Sequence, residues 1–534
     1  MLELRSALPR AAASMMQRDT LLSRAGLEGS DAATPPREQL IRGDDTGSSE
    51  TLIYLDADRV GRFTSWSELE SRLGAERLLR VDPGGCQFML AYGLVPPPYT
   101  LYSNVYCLGA GDRLRFDLDG DRAAFEVDFP YFENRSRCDE RFEPDRLKRL
   151  LAGAVSRAVP PGEPALLLQS SGKDSSGIVL GIAESGRTDI RCATYDPGYR
   201  ERESEAARSL ARRFGLGHRA VEADPREECA ALLRFAERSP SICADMALLA
   251  YLRILDCCGV DGGAVIDGLG NDAYMGYVLP RADRWLAGVA LARRLPALWG
   301  RFEPPDLGAR AAYLVKSALM YPAERSLAGS RLSPRAVCDL VPHETPFRRF
   351  FGDLDRKYRH LSPADFRAYV RGRIFDGCGT LVKGRLAAAH HRARIVYPYC
   401  DPELIDYCFN LPLEDRYDPR RRTNKIALRR LLERDVGDAY YLRHKGSFRY
   451  DVLGFVAANE QAIRSELDRA SRLFHALDRW AEYYWRRRSN YVHAYALMTL
   501  FILAAWLVRR PAEVTEPLSA PGAAPPAANV EVAL

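Results

Sequence analysis

The stretch Leu166-Leu-Leu-Gln-Ser-Ser-Gly-Lys-Asp-Ser-Ser-Gly177 constrains the fold of this chain more than any other. The apolar run Ala165–Gln169 reads as a buried strand. It runs into a loop of small residues, and a helix starts directly after it. Around it strands and helices alternate: Ser175–Ser185 reads as helix, Ile190–Thr194 as strand, Ser204–Phe214 as helix, Arg219–Val221 as strand and Ala264–Asp267 as strand. Alternation of this kind predicts a parallel α/β sheet whose ligands gather at the carboxyl ends of its strands.

The rest of the chain is organised around that centre. At 534 residues the chain has room for roughly two to four domains of ~150 residues each. Residues 28–50 are rich in Gly, Ser, Asp, Thr and Pro, so 1–50 is expected to be a flexible leader. From Thr51 to about Phe132 short apolar runs alternate with turn signals, as in Thr51–Asp56, Gln87–Tyr92 and Asp112–Gly120. These predict a β-rich domain over 51–140, with Asp119-Gly120 as a hairpin turn. Arg146–Val159 is amphipathic at helical spacing and opens a second domain over 141–510, mostly helical beyond Pro280. The Pro/Ala-rich segment 511–534 is expected to be disordered. Tyr491–Val508 is almost wholly apolar and about one bilayer long, but it stands alone, contains His493 and reads as a buried core helix.

Composition excludes some partners. The net charge is +5 and spread along the chain, and Arg420–Arg422 and Arg486–Arg488 are short patches, so neither nucleic acid nor an anionic membrane is expected. Twelve cysteines without a CxxC pair make neither a disulfide framework nor a zinc site. No apolar core of a secretory signal follows Arg5, Arg10 and Arg18, and a reducing cytoplasm is the expected location.

The chemistry lies in two loops. After the first strand, Ser175 and Ser176 sit where N–H groups and hydroxyls converge at a helix N-terminus, which suits phosphate. Asp174 puts a carboxylate beside those phosphates, which makes sense only with a divalent cation between the two charges; Lys173 adds a further cation. A plain strand–turn–helix with a capping Asp or Ser would look similar. The second loop, Val265-Ile-Asp-Gly-Leu-Gly-Asn-Asp-Ala-Tyr-Met-Gly-Tyr277, again follows a strand and carries Asp272. In a parallel sheet both loops emerge at one edge, where Asp174 and Asp272 could share one Mg²⁺.

These residues resemble a known family. Ser170-Ser-Gly-Lys-Asp-Ser-Ser176 is similar to the S-G-G-x-D-S-S pyrophosphate loop of the asparagine synthetase group of N-type ATP pyrophosphatases. In the family's order follow Asp267–Tyr277, resembling G-x-G-x-D-x-x-x-G-Y, and Tyr397-Pro-Tyr-Cys-Asp401 with Leu411-Pro-Leu, resembling V-P-F-L-D with its trailing L-P. Then come Lys425-Ile-Ala-Leu-Arg429 and Arg443-His-Lys-Gly-Ser-Phe448, similar to K-x-x-L-R and R-x-K-x-x-F. Tyr92–Asp119 resembles the end of the family's N-terminal glutaminase domain. The resemblance implies an α/β protein with a degenerate N-terminal nucleophile-type, glutaminase-like domain. An N-type ATP pyrophosphatase domain follows, with a parallel sheet and a helical C-terminal part.

It further implies ATP and Mg²⁺ as cofactors and attack of a substrate carboxylate at the α-phosphorus, giving an acyl-adenylate and pyrophosphate. An amine or ammonia then displaces AMP. ATP and pyrophosphate fall to Ser170, Ser171, Gly172, Lys173, Asp174, Ser175, Ser176, Gly268 and Gly270, and Mg²⁺ to Asp174 and Asp272. Lys425 and Lys445 bring catalytic charge near the α-phosphate and pyrophosphate. Three departures stand out. Ser171 replaces a loop glycine, at a cost of ~1 kcal/mol if that backbone needs positive φ. Arg394 stands four before Pro398, where many members place the acidic residue that meets the amine-bearing substrate. Leu2 occupies the place of the cysteine nucleophile that glutaminase activity needs, and the first cysteine is Cys86.

Three readings follow. One is an amide ligase of the non-glutaminase branch, similar to β-lactam synthetases and lasso-peptide cyclases, joining a small-molecule or peptide carboxylate to an amine. A second is a synthetase fed by free ammonia or a partner glutaminase that amidates aspartate or a sugar acid. The third is a non-catalytic scaffold. A homodimer or a partner biosynthetic protein is compatible with each.

Overall fold

The computed structural model describes residues 38–533 apart from 45, 57–58, 74–78, 118–122, 127–138, 199–202, 276–319, 328–330, 345–346, 359, 362–365, 367–369, 419, 438–449, 512–517 and 519–529. The centre is a five-stranded, wholly parallel sheet of β1 (Ala165–Leu168), β2 (Arg191–Asp196), β3 (His218–Glu222), β4 (Ala264–Asp267) and β5 (Arg394–Val396). Its order is β5-β4-β1-β2-β3. The chain leaves β1 toward one side for β2 and β3, then returns to the other side for β4 and β5. Neighbouring strands β1 and β4 are in register from Ala165 opposite Ala264 to Leu168 opposite Asp267. Every residue of β1 and β4 is buried, as continuous apolar runs in a two-sided parallel sheet must be.

The crossovers are helical. Lys173–Glu184 (α1) follows β1, and Glu203–Arg213 (α2) follows β2. Two helices, Pro225–Arg238 and Ala247–Cys258, connect β3 to β4; the strand–helix alternation did not show them. The helix Pro144–Ala158 buries Leu147, Leu151, Ala154 and Val155, the stripe its spacing predicted. The three-residue strand β5 lies inside a stretch that reads as helical, because three residues are too few for any periodicity to register.

The N-terminal part departs from expectation in two places. Gln87–Tyr92 is not a strand but the body of the helix Pro83–Tyr92. The Asp82 Oδ2 accepts from the Gly85 N–H at 2.6 Å, Pro83 occupies the first turn, and the Gly93 N–H closes the far end on the Met89 carbonyl. Asp-Pro ahead and Gly behind are start and stop signals that outweigh a short apolar run. Within the expected leader, Glu38–Arg42 forms a strand antiparallel to Arg113–Asp117. Within the expected disordered tail, Val530–Ala533 pairs parallel to Ala123–Glu126. Partners far away in sequence supply that order, and local composition cannot report them. The Asp119-Gly120 turn lies outside the described residues.

One hydrophobic core runs from these N-terminal elements to the C-terminal helices. The Phe88 ring meets Phe347 edge-on with centroids 4.8 Å apart and stacks against Tyr99 at 5.7 Å. The Tyr92 hydroxyl donates to buried Glu324 at 2.9 Å. The apolar helix Tyr491–Leu507 is exposed at Tyr491 and buried throughout from Ala496 to Leu507, and its Trp506 indole N–H donates to the Ser239 carbonyl at 3.0 Å. Among the described residues no helix is long and apolar enough to cross a membrane. Phe88→Ala is expected to cost about 3–5 kcal/mol in urea unfolding, the usual range for deleting a fully packed aromatic ring. A loss below ~1 kcal/mol would mean that the aromatic cluster does not fasten the N-terminal segment.

Candidate active site

Reversal of strand order between β1 and β4 opens a crevice at their carboxyl ends, and both candidate loops emerge there. The loop after β1 folds on itself. Ser175 Oγ donates to the Ser170 carbonyl at 3.0 Å and accepts from the Ser170 N–H, also at 3.0 Å. The Gly172 N–H donates to Ser170 Oγ, and Ser176 Oγ donates to the Gly172 carbonyl at 2.8 Å. Gly172 caps α1 with extended backbone, and the helical ladder begins with the Ser176 N–H to the Gly172 carbonyl. The N-terminal end of α1, with its positive dipole end, therefore faces the crevice.

Ser171 does not carry the strain expected of it, since it is absent from the described residues with positive φ. Both its N–H and its hydroxyl donate to Glu203 Oε1 at the start of α2. Ser171 therefore ties the loop to α2, and the ~1 kcal/mol penalty for a left-handed backbone does not arise. Lys173 is buried.

The second loop reaches the first because its glycines let it. A Cβ on Gly268 would stand 2.9 Å from the Ser175 nitrogen and 3.0 Å from the Asp174 carbonyl carbon. Gly270 has φ +104, and a Cβ there would meet Cys400 Sγ at 2.5 Å. Both glycines belong to the predicted set, and both are required by contact or conformation.

The two loops meet on one ammonium. Lys425 Nζ donates at 2.8 Å to both Asp174 oxygens and to Asn271 Oδ1, and pairs with Asp272 Oδ1 at 2.8 Å. The Asn271 Nδ2 in turn donates to Asp174 Oδ1 at 2.7 Å. Lys425 is 5% exposed. Burial by itself lowers its pKa, and the carboxylates of Asp174 and Asp272 overcome that and hold the ammonium above the ordinary lysine range. The geometry depends on a left-handed backbone at Lys425 (φ 57, ψ 43), where the chain enters the helix Ile426–Asp435 (α3) with the Lys425 N–H on the Met275 carbonyl. Arg429, one turn on, lies on the same face; burial lowers its pKa, against the pull of the Asp174 carboxylate.

The block around Pro398 acts from beneath. The Tyr399 hydroxyl donates to the Asp174 carbonyl at 3.0 Å, and the Tyr274 hydroxyl donates to the Tyr399 carbonyl. Sequence reading quoted the block without a role for its tyrosine; an aromatic directly after Pro398 was the signal. Asn271 and Glu203 were missed too, since neutral and surface-type side chains carry no spacing signature.

Arg394 lies elsewhere. It starts β5 opposite Ala264, at the amino end of the sheet, and pairs with Glu163 while donating to the Ala158 carbonyl at 2.6 Å. Its replacement of an acidic residue therefore does not alter the crevice. Lys445 lies outside the described residues. Two carboxylates converging on one cation are a donor set of the kind that suits Mg²⁺, and Asp174 and Asp272 are the residues that would hold it, with the remaining ligands coming from outside the protein.

A second polar group borders the crevice. The Tyr251 hydroxyl donates to Asp267 Oδ2 at 2.6 Å, and Lys383 Nζ pairs with Asp245 at 2.7 Å. Burial pushes the Asp267 carboxyl up to about 6, against the pull of the Tyr251 hydrogen bond and the Lys383 charge.

With this geometry in place the class is an α/β protein carrying a buried ammonium–carboxylate cluster at the switch point of a parallel sheet. The asparagine synthase family model matches residues 146–507, more than half of the chain, and the chain belongs to that family. A Methanocaldococcus jannaschii protein named "Putative asparagine synthetase (glutamine-hydrolyzing) 2" is 25% identical over 169 residues, which are 29% of this chain and 32% of that protein. The match thus spans about a third of the relative's length.

Two outcomes are expected. Gly268→Ala should weaken ATP binding by about tenfold or more while unfolding shifts by less than ~1 kcal/mol, because the added methyl displaces the Ser175 backbone rather than core. Calorimetric titration with ATP and urea unfolding of the same variant check it, and unchanged ATP affinity would mean that this close approach is not needed. The second concerns pH. The folded Asp267 carboxyl binds its proton more tightly than the unfolded one, so its protonated form supports the fold below the ordinary carboxylate pKa. That support is lost as pH rises through about 6. Relative to Asp267→Asn, the parent should lose on the order of 3 kcal/mol between about pH 4 and about pH 7. A difference that stays flat across that range would show an unperturbed carboxyl.

Proposed function

We propose that the protein is an ATP-dependent ligase that forms amide bonds by adenylating a substrate carboxylate, releasing pyrophosphate, and passing the acyl group to an amine. One observation carries this reading: Asp174 and Asp272, from two loops at one sheet edge, converge with Lys425 on a single cation position beside the N-terminus of α1. Such a site binds a polyphosphate through its bridging metal and neutralises the charge that grows as pyrophosphate departs. Family membership points to the same class of reaction.

In this reading α1 and the Ser170–Ser176 loop cradle the pyrophosphate end of ATP. The metal at Asp174 and Asp272 supplies charge neutralisation on the phosphate oxygens. Lys425 moves its ammonium toward the phosphates, Lys445 adds a further positive charge, and Tyr399 holds Asp174 in place from below. The N-terminal part is a degenerate glutaminase-like domain, and the nitrogen comes from an amine rather than from glutamine hydrolysis here. Its first cysteine, Cys86, is fully buried, and burial pushes its thiol pKa up, which supports that reading. The reaction belongs in the cytoplasm, with a small-molecule or peptide carboxylate as acyl donor.

The purified protein is expected to release pyrophosphate and AMP from ATP with Mg²⁺ and a suitable carboxylate in a screen of acids and amines. Asp174→Asn should lower that rate by on the order of a hundredfold or more, the effect of losing a charge-neutralising ligand from the reacting phosphates. ADP and phosphate as products would overturn the adenylation reading.

A further inference from the structure

The cation position between Asp174 and Asp272 is already taken by a side chain of the chain itself. Lys425 Nζ has acceptors at 2.8 Å on Asp174, Asn271 and Asp272. Those oxygens saturate the three hydrogens an ammonium has. A magnesium ion shared by the same two carboxylates would need their oxygens at about 2.0–2.1 Å. It would stand where the ammonium stands, and two cations cannot share that space at low dielectric. The backbone brings the lysine to this position in the nucleotide-free protein. Its N–H is fixed to the Met275 carbonyl and its φ is +57, so the stem is aimed between the loops. Asn271 bridges Lys425 and Asp174, closing the ring around the ammonium.

We infer that Lys425 is a displaceable resident cation. It blocks divalent metal from Asp174 and Asp272 in the nucleotide-free protein and yields them only when phosphate oxygens arrive to receive its ammonium. The inference rests on the metal–ATP reading above and adds an order to it: metal enters together with the nucleotide and does not bind ahead of it. Two consequences follow from the charges. Without nucleotide, the ammonium spares Asp174 and Asp272 the repulsion of two neighbouring carboxylates. With nucleotide, the same ammonium becomes a phosphate ligand, so one residue neutralises charge in both states. Of the other charges nearby, Arg429 donates its Nε to the Asn424 carbonyl and Glu203 accepts from Ser171.

Manganese binding to the full-length chain tests this, read as loss of the free-ion paramagnetic resonance signal, with and without the non-cleavable α,β-methylene analogue of ATP. The parent should bind Mn²⁺ about tenfold or more tightly with the analogue than without it. Lys425→Met should bind Mn²⁺ without nucleotide about tenfold or more tightly than the parent does. If Lys425→Met does not fold by circular dichroism, Asn271→Ala, which loosens the ammonium without removing it, should shift nucleotide-free binding in the same direction. Equal nucleotide-free affinity in parent and folded variant overturns the inference while leaving the metal–ATP reading intact. No Mn²⁺ uptake by either protein even with the analogue overturns that reading, and the inference with it.

Discussion

The ring of Asp174, Asn271, Asp272 and Lys425 ties together three pieces of chain that are far apart in sequence. Asp174 comes from the first turn after β1, Asn271 and Asp272 from the loop after β4, and Lys425 from the entry to α3. Like charges so close together stay ionised only if a cation lies between them, and a buried ammonium stays charged only if carboxylates surround it. Each partner is the condition for the other. The remaining features of the crevice serve that closeness: glycines where the loops nearly touch, Tyr399 beneath Asp174, and a left-handed residue that turns the lysine inward.

Strand order explains why the ring forms where it does. With β1 and β4 adjacent and their crossovers running to opposite sides, the loops after them cannot be covered by a connecting helix and lie open. The amino ends of the same strands are closed by ordinary structural pairs, such as Arg394 with Glu163. The two ends of one sheet thus carry different kinds of charge. At the carboxyl end it converges on a point, and at the amino end it is paired off singly and partly exposed.

How much of this was legible in the sequence depended on how local the cause was. The strand–loop–helix at Leu166–Gly177, the strand Ala264–Asp267 and the helix Tyr491–Leu507 are set by runs of neighbouring residues, and they are where the sequence placed them. Family blocks brought Asp174, Asp272, Gly268, Gly270 and Lys425 forward, and the structure gathers all five at one edge. Elements whose cause is a distant partner were invisible: β5, Glu38–Arg42 and Val530–Ala533 are short strands that exist because another strand receives them. At Pro83–Tyr92 the apolar run was weighed more heavily than the capping residues beside it. The role of Arg394 stayed open in the sequence, because a position counted from a proline says nothing about which end of a strand it occupies.

The helix Pro83–Tyr92 also bears on how such a protein ages in evolution. Phe88 and Tyr92 fill the space against Phe347 and Glu324, on the far side of the chain's core. Selection for folding alone is then enough to preserve that helix, whatever chemistry the N-terminal part once performed or never did. A region held in this way can lose a reaction without being deleted, because the rest of the molecule has come to use it as filling.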